Sequence, residues 1–317
     1  MTTHSGPQSS ERKRRALLIL NPGSRQGGSV DLDAGMERLE AAGIELVRVE
    51  SESPEQSCEE IRGRSSDVDL AIIGGGDGTV SSCIPALLDS KLPVAILPLG
   101  TANDLARSLG IEMLEQAFDA LCEGGSTPVD LGVVNDHYFF NVANLGLGVV
   151  VTEELTPEVK KRWGVFSYLK AFASALSRHR QFRLKLRVDG KDHTMRSIQL
   201  AVGNGRFYGG GNLVDQRASI DDDLLHVYSL RPQTVWELLS LAPLLRGGRH
   251  DLARRTFSAS AHDLYVETQP AGMEIHADGE PVTRTPAKFS VKSAALELVV
   301  PKDSPLLKRK AETEMTL

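Results

Sequence analysis

The apolar positions of the first half come in short unbroken runs separated by amphipathic stretches. Ala16 to Leu20 predicts a first buried strand. Leu32, Met36 and Leu39 then recur at three- and four-residue spacing, which predicts a helix stopped by Gly43. Ile44 to Val49 predicts a second strand, Pro54 to Arg62 a helix, and Val68 to Ile73 a central strand. The alternation continues through a helix over Val80 to Leu88, a strand over Val94 to Leu97 and a helix from about Ala102. Strand and helix alternating in this way predict an α/β domain: a parallel sheet flanked by helices.

After about Val129 the texture changes. Short alternating segments dominate: Tyr138 to Val142, Phe182 to Val188, Ser197 to Val202, Leu224 to Ser229, Asp263 to Glu267 and Lys288 to Val291. Many short strands between Gly- and Pro-bearing turns predict a C-terminal β-sandwich domain. Two helices are expected within it, near Lys170 to Ser177 and Val235 to Leu245. The expected division is a disordered N-terminus over residues 1–11, a nucleotide-binding domain over 12–130, the sandwich over 131–300 and a polar tail over 301–317.

Composition narrows the classes. A chain of 317 residues suggests about two domains and is ample to bury a core. A net charge of −6 argues against a generic nucleic-acid binder. Cys58, Cys83 and Cys122 have no metal-ligand spacing and form no even set for disulfides, so they read as reduced thiols in a cytoplasmic protein. No apolar run approaches membrane-span length, and the five apolar residues after the basic Arg12 to Arg15 are too few for a signal-peptide core. Any contact with membrane is expected to be peripheral.

The candidate chemistry lies at the ends of the predicted strands. The central strand runs into Gly74-Gly75-Gly76-Asp77-Gly78-Thr79. Glycines there let backbone approach a ligand and free N–H groups for phosphate oxygens. An aspartate would repel phosphate, so its presence points to handling a Mg²⁺ or orienting a phosphoryl group; the alternative is a tight turn with a solvated Asp77. The next strand ends in Pro98-Leu99-Gly100-Thr101-Ala102-Asn103-Asp104, where Thr101 can cap a helix whose N-terminus favours anions. With Asn21-Pro22-Gly23 after the first strand, three Gly- and hydroxyl-bearing loops fall at strand ends of one sheet. Together they point to a nucleotide triphosphate site.

These two motifs resemble the catalytic domain of diacylglycerol and sphingosine kinases, and the chain resembles more closely the bacterial YegS-type lipid kinases. The likeness extends over nearly the whole chain, including Thr152 to Tyr168, Gly203-Asn204-Gly205-Arg206 with Gly209-Gly210-Gly211, and Asp278-Gly279-Glu280. A Gly-Gly-Asp-Gly loop alone also suits NAD kinases and phosphofructokinases; its pairing with Pro-Leu-Gly-Thr-Ala-Asn-Asp is more specific. The resemblance implies an ATP- and Mg²⁺-dependent lipid kinase with its active site in the interdomain cleft, and a chain end that returns to the first domain. The nucleotide set it implies is Asn21, Gly75, Gly76, Asp77, Gly78, Thr79, Val80, Ser81, Ser82, Gly100, Thr101 and Asn103, with Asp104 shaping the phosphate side.

Three adjacent acids, Asp221-Asp222-Asp223, repel unless a cation or solvent intervenes. In the resembling kinases this segment holds Mg²⁺, which maps onto Asp222 with backbone oxygens of Ser219 and Leu224. The proton acceptor maps onto Glu280, with Asp278 beside it; a hairpin turn explains Asp278-Gly279 without function. The chain departs from the family at Ser81-Ser82, where Asn-Glu is usual, at Glu50, where a nucleotide-touching Thr is expected, and at Asp223, usually Gly. Arg25 can supply cationic help at the phosphates or be solvated. Basic clusters at Lys160-Lys161-Arg162, Arg178-His179-Arg180 and Arg246 to Arg255 are either solvated or dock on anionic headgroups. Trp163, Phe166 and Tyr168 suit either a membrane interface or a core. Alternatives to the lipid kinase are a NAD or other small-molecule kinase and a non-catalytic nucleotide- or lipid-sensing protein. The lipid accepted (diacylglycerol, phosphatidylglycerol or similar) is open at this point, as is the oligomeric state, a dimer included.

Overall fold

A computed structural model of the chain describes residues 14–22, 32–147, 181–208, 212–213, 218–231 and 256–314. The apolar runs of the first half form parallel strands: β1 (Arg14–Leu20), β2 (Ile44–Glu50), β3 (Leu70–Gly75) and β4 (Val94–Pro98), in the order β2-β1-β3-β4. All six residues of β3 are buried, as expected for a strand covered on both faces. Between the strands run α1 (Leu32–Ala41), α2 (Pro54–Arg64), α3 (Asp77–Ser82), α4 (Ile84–Ser90), α5 (Asp104–Ser108) and α6 (Leu114–Glu123). The helix α1 packs on α6, while α2 packs on α3 and α4.

The helix expected over Val80 to Leu88 is two helices. The first begins at Asp77, inside the glycine-rich motif, and they divide at Cys83. Pro85 explains the break, since it offers no N–H and crowds the preceding turn.

The sandwich is built from β5 (Gly125–Val134), β6 (His137–Phe139), β7 (Val142–Gly146), β8 (Phe182–Val188), β9 (Lys191–Ser197) and β10 (Gln199–Gly203). It continues, after a separate two-stranded ribbon of β11 (Phe207–Tyr208) and β12 (Asn212–Leu213), with β13 (Leu225–Leu230), β14 (Thr256–Ala261), β15 (Asp263–Gln269), β16 (Glu274–Ala277), β17 (Glu280–Arg284) and β18 (Ala287–Val300). One sheet has the order β14-β13-β10-β7-β16-β17; the other continues from β4 as β18-β15-β8-β9. Inward residues such as Phe139, Phe182, Leu184, Leu200, Val227, Ile275 and Phe289 form the core between them.

Two strands join the halves. β18 pairs antiparallel with β15 and β5, and at Leu298 parallel with β4. Only its Lys288 to Val291 portion was expected as a strand; a register shift between Lys292 and Leu296 interrupts the apolar alternation. The boundary expected between residues 130 and 131 falls inside β5. The chain then returns to the first domain: Ser304 Oγ donates to the Leu109 carbonyl at 2.8 Å and Leu306 joins that domain's core. The helix α7 (Pro305–Glu314) follows. The helices expected near Lys170 and Val235, the three basic clusters, Arg25, Trp163, Phe166, Tyr168 and Gly209 to Gly211 lie outside the described residues.

Candidate active site

The two glycine-rich loops meet backbone to backbone at the carboxyl ends of β3 and β4. A Cβ on Gly100 would sit 2.4 Å from Gly76 Cα and 2.8 Å from Asn103 Oδ1, so only glycine permits this approach. Asn103 holds its loop closed. Its backbone lies at φ 50°, its Oδ1 accepts from Gly100 N–H at 2.9 Å and its Nδ2 donates to the Gly100 carbonyl at 2.9 Å. Asn21 Nδ2 donates to Thr79 Oγ1 at 3.1 Å, which ties the end of β1 to the same corner. Thr101 is exposed at the loop's outer side.

Asp77 has a specific structural task. Its carboxylate accepts from Asp104 N–H at 3.0 Å and Leu105 N–H at 2.9 Å, and Asn141 Nδ2 lies 3.4 Å away. It therefore caps the first turn of α5 from the neighbouring loop, which answers its charge with otherwise unpaired N–H groups.

Asp278 links the sandwich to this corner. With Gly279 it forms the two-residue turn between β16 and β17, both at positive φ (49° and 97°), so the hairpin reading of Asp-Gly holds. Its carboxylate nevertheless accepts four hydrogen bonds: from Ser81 Oγ at 2.6 Å, Phe140 N at 2.8 Å, Asn141 N at 2.9 Å and Val142 N at 3.2 Å. Burial pushes its pKa above the usual carboxylate range, against the pull of those donors. Glu280, two residues on, opens β17 and is exposed. The structure thus separates the two acids: Asp278 is enclosed by donors, while Glu280 is open at the mouth of the hairpin.

The remaining members of the expected set are held by protein partners. Ser81 is spent on Asp278, and Ser82 Oγ donates to the Thr79 carbonyl at 2.8 Å. Val80 is buried in the core. Sequence reasoning missed Asn141, which is 3% exposed and joins Asp77 to the Asp278 turn; its Oδ1 has no partner among the described residues. A signal was available, since Asn141 is a polar residue inside the apolar stretch Phe139 to Ala143.

The acid segment lies in a second polar corner. Asp222 Oδ2 accepts from Ser219 N–H at 2.9 Å and lies 2.9 Å from His226 Nε2, while Oδ1 accepts from Leu224 N–H at 3.1 Å. Asp221 pairs with Arg309 of α7. Asp130, missed in the sequence, accepts from Asp223 N–H and Ala294 N–H, both at 2.8 Å. Burial, then the charges of Asp223 and Asp222, raise the Asp130 pKa even though those two amides oppose the shift. Among the described residues no three acid, His or Cys side chains converge as a ready metal cage. The corner does fit Mg²⁺ in its chemistry: hard oxygen donors from one carboxylate and neighbouring carbonyls, with crowded negative charge that a cation relieves.

Residues 15–134 match the diacylglycerol kinase catalytic domain, and residues 142–300 match the YegS C-terminal NAD kinase beta sandwich-like domain. A Pseudomonas aeruginosa protein described as a "probable lipid kinase YegS-like" is 33% identical over 300 residues, covering 93% of this chain and 97% of that one. A Mycobacterium tuberculosis diacylglycerol kinase is 29% identical, covering 91% and 96%. The crystal structure of a diacylglycerol kinase from Bacillus anthracis shares the fold at a TM-score of 0.69, with 22% identity and coverage of 91% and 97%. The protein belongs to the YegS-type lipid kinases of the diacylglycerol kinase family.

Proposed function

We propose that this lipid kinase transfers the γ-phosphoryl group of ATP to the hydroxyl of a lipid such as diacylglycerol or phosphatidylglycerol, in a Mg²⁺-dependent reaction. One observation carries the reading. Ser81, on the helix that opens with Asp77 and Gly78, is hydrogen-bonded to Asp278 at the tip of the sandwich hairpin. That bond ties the hairpin bearing Glu280 to the helix that follows the glycine-rich loop.

In this reading the backbone of Gly76, Gly78 and Gly100 approaches the phosphates, with Thr79 and Thr101 beside them. Asp77 and Asn103 hold the two loops in register. Ser219, Asp222 and Leu224 would hold Mg²⁺, which would neutralise the crowded carboxylate charge of that corner. Glu280 accepts the proton of the attacking lipid hydroxyl, and Asp278 fixes its hairpin. A weakly nucleophilic alcohol needs such a base within hydrogen-bond reach as it attacks phosphorus.

No helix among the described residues is long and apolar enough to cross a membrane, and we take the protein to work in the cytoplasm, peripherally at a membrane surface. Purified protein with γ-labelled ATP should place label in extractable lipid, and a chelator should abolish it. Binding to anionic vesicles should fall as ionic strength rises. Label appearing in NAD would assign a small-molecule kinase; nucleotide binding without transfer to any acceptor would make the protein a sensor. Either result overturns the proposal.

A further inference from the structure

The stretch Gly203-Asn204-Gly205-Arg206 ends β10 directly against the phosphate corner. Asn204 N–H and Gly205 N–H both donate to the Asn141 carbonyl, at 2.9 and 3.1 Å. Asn204 Nδ2 donates to the carbonyls of Asp130 and Phe140, both at 3.0 Å. A Cβ on Gly205 would stand 3.3 Å from Asn141 Oδ1, so the turn lies close against the residue that joins Asp77 to the Asp278 turn.

Arg206 and Phe207 follow, and the short strand β11 packs on α5. There the Phe207 ring has two guanidinium neighbours: Arg206, 5.7 Å from its centroid, and Arg107 of α5, 5.9 Å from it. Cation–π contact of this kind holds an arginine in place without neutralising it. Neither guanidinium is paired with a carboxylate among the described residues. Arg107 donates one long hydrogen bond, from Nη2 to the Ala102 carbonyl at 3.4 Å, and its Nε is buried without an acceptor. Ala102 lies in the Gly100–Asn103 loop, and Arg107 N–H donates to the Asn103 carbonyl at 3.0 Å. This guanidinium therefore rests against the loop that meets Gly76. Arg206 is exposed and Arg107 half-buried, so both are within reach of a ligand.

The residues that build the phosphate corner are acids, amides and hydroxyls: Asp77, Asp104, Asn103, Thr79 and Ser81. Phosphoryl transfer gathers negative charge that is answered by basic side chains and metal ions. A planar guanidinium meets two phosphate oxygens at once. Two like charges on one ring also repel each other, and an anion relieves that repulsion.

We propose that Arg107 and Arg206 are a phosphate clamp, one guanidinium from each half of the molecule, with Phe207 as the platform that aligns them. The ligand is a phosphate anion beside the Gly100–Asn103 loop. The clamp deepens the kinase reading and rests on it for the source of that anion: the terminal phosphates of the nucleotide, or the phosphodiester headgroup of an anionic lipid acceptor.

The test is calorimetry on the full chain with ADP, adenosine, dioctanoyl phosphatidylglycerol and dioctanoylglycerol as probes. The variants are Arg107→Gln, Arg206→Gln, Arg107→Lys and Arg206→Lys, each checked by Tm. Each Gln variant should bind ADP about ten-fold or more weakly, as for a lost hydrogen bond to a charged group, with adenosine binding unchanged. Lys should restore part of the loss, and the salt dependence of ADP binding should become shallower in the Gln variants. Weakened phosphatidylglycerol binding, with ADP and dioctanoylglycerol unchanged, assigns the clamp to the lipid headgroup and equally supports it. Unchanged binding of both phosphate ligands overturns the clamp. A parallel fall for adenosine or dioctanoylglycerol, or an equal loss in the Gln and Lys variants with lowered Tm, also overturns it and makes the arginines a structural latch between β11 and α5. The readout is binding rather than turnover. ADP affinity lost in the variants of a protein that phosphorylates no lipid keeps the clamp and removes the kinase; unchanged affinity in an active kinase does the reverse.

Discussion

The bond between Ser81 and Asp278 can be weighed directly. At 2.6 Å it joins a neutral hydroxyl to a carboxylate across 197 residues of sequence, and hydrogen bonds to charged groups contribute about 1.5–3 kcal/mol. Ser81→Ala removes the donor and leaves the carboxylate with three backbone N–H groups, so the loss should fall near the lower end, about 1.5 kcal/mol. Asp278→Ala is more severe, because it strips the acceptor from Phe140, Asn141, Val142 and Ser81 together. Removing the buried carboxylate also removes its desolvation penalty. The net cost should therefore be about 3 kcal/mol rather than the sum of four unsatisfied groups. At about 2–4 °C per kcal/mol for domains of this size, that is a fall in Tm of about 6–12 °C. The assay is a double-mutant cycle by thermal and denaturant unfolding. A coupling energy of about 1 kcal/mol or more between the two positions supports the pin; additivity within about 0.5 kcal/mol refutes it.

Other outcomes follow from the same geometry. Asp77→Ala should abolish transfer and, by uncapping α5, also cost about 1–2 kcal/mol in denaturant unfolding; a full-stability variant would contradict the capping role. Glu280→Gln should keep nucleotide affinity and Tm but lose about 10²- to 10⁴-fold in kcat, with calorimetry and lipid phosphorylation as the paired measurements. Asp222→Asn should weaken the Mg²⁺ dependence of activity more than Asp221→Asn, and equal mild effects would return the segment to a solvated turn. The folded pKa of Asp130 is raised, so the native state binds that proton more tightly than the unfolded chain. Its contribution favours folding at low pH and is lost as pH rises from about 3.9 through the folded value; Asp130→Asn should flatten that limb of the stability curve.

The first domain was legible because its strands are covered on both faces. A strand such as β3, buried at every residue, must be apolar without interruption, and Leu70 to Ile73 announces that in sequence. The sandwich was legible only where one face is wet, as in β8, whose buried and exposed residues alternate from Phe182 to Val188. β5 was missed because Gly125 and Pro128 open it, although pairing with β18 supplies its register. The contacts that assemble the site were not legible at all. Asp77 was expected to serve phosphate or metal, and its motif says nothing of Asp104 and Leu105 amides 27 and 28 residues away. Local pattern encodes which residues are buried; it does not encode which loop end a carboxylate will face once two domains close.

The same limit explains why the departures from the family look more damaging in sequence than in space. Asp223 stands where glycine is usual, and the structure gives the reason for glycine: the residue lies at φ 60°. Aspartate is among the few side chains that tolerate this region. Here its backbone N–H still reaches Asp130, while its carboxylate is taken up by Ser293 and lies 3.5 Å from His262 Nδ1. The position is constrained through its backbone, so the added carboxylate turns away without undoing the turn. Glu50 ends β2, the edge strand of the parallel sheet, and the buried polar residue there is its neighbour Ser51, bonded to Ser57 Oγ at 2.8 Å. Ser81 is the opposite case, because its side chain is the operative part. A hydroxyl donates once to Asp278 at 2.6 Å in a crowded corner. Asparagine would bring a bulkier amide with both donor and acceptor to a carboxylate already holding three N–H groups. Replacing Ser81 by the usual family residue is therefore not a restoration: without compensating change around Phe140 to Val142, it disturbs one of the contacts between α3 and the sandwich hairpin.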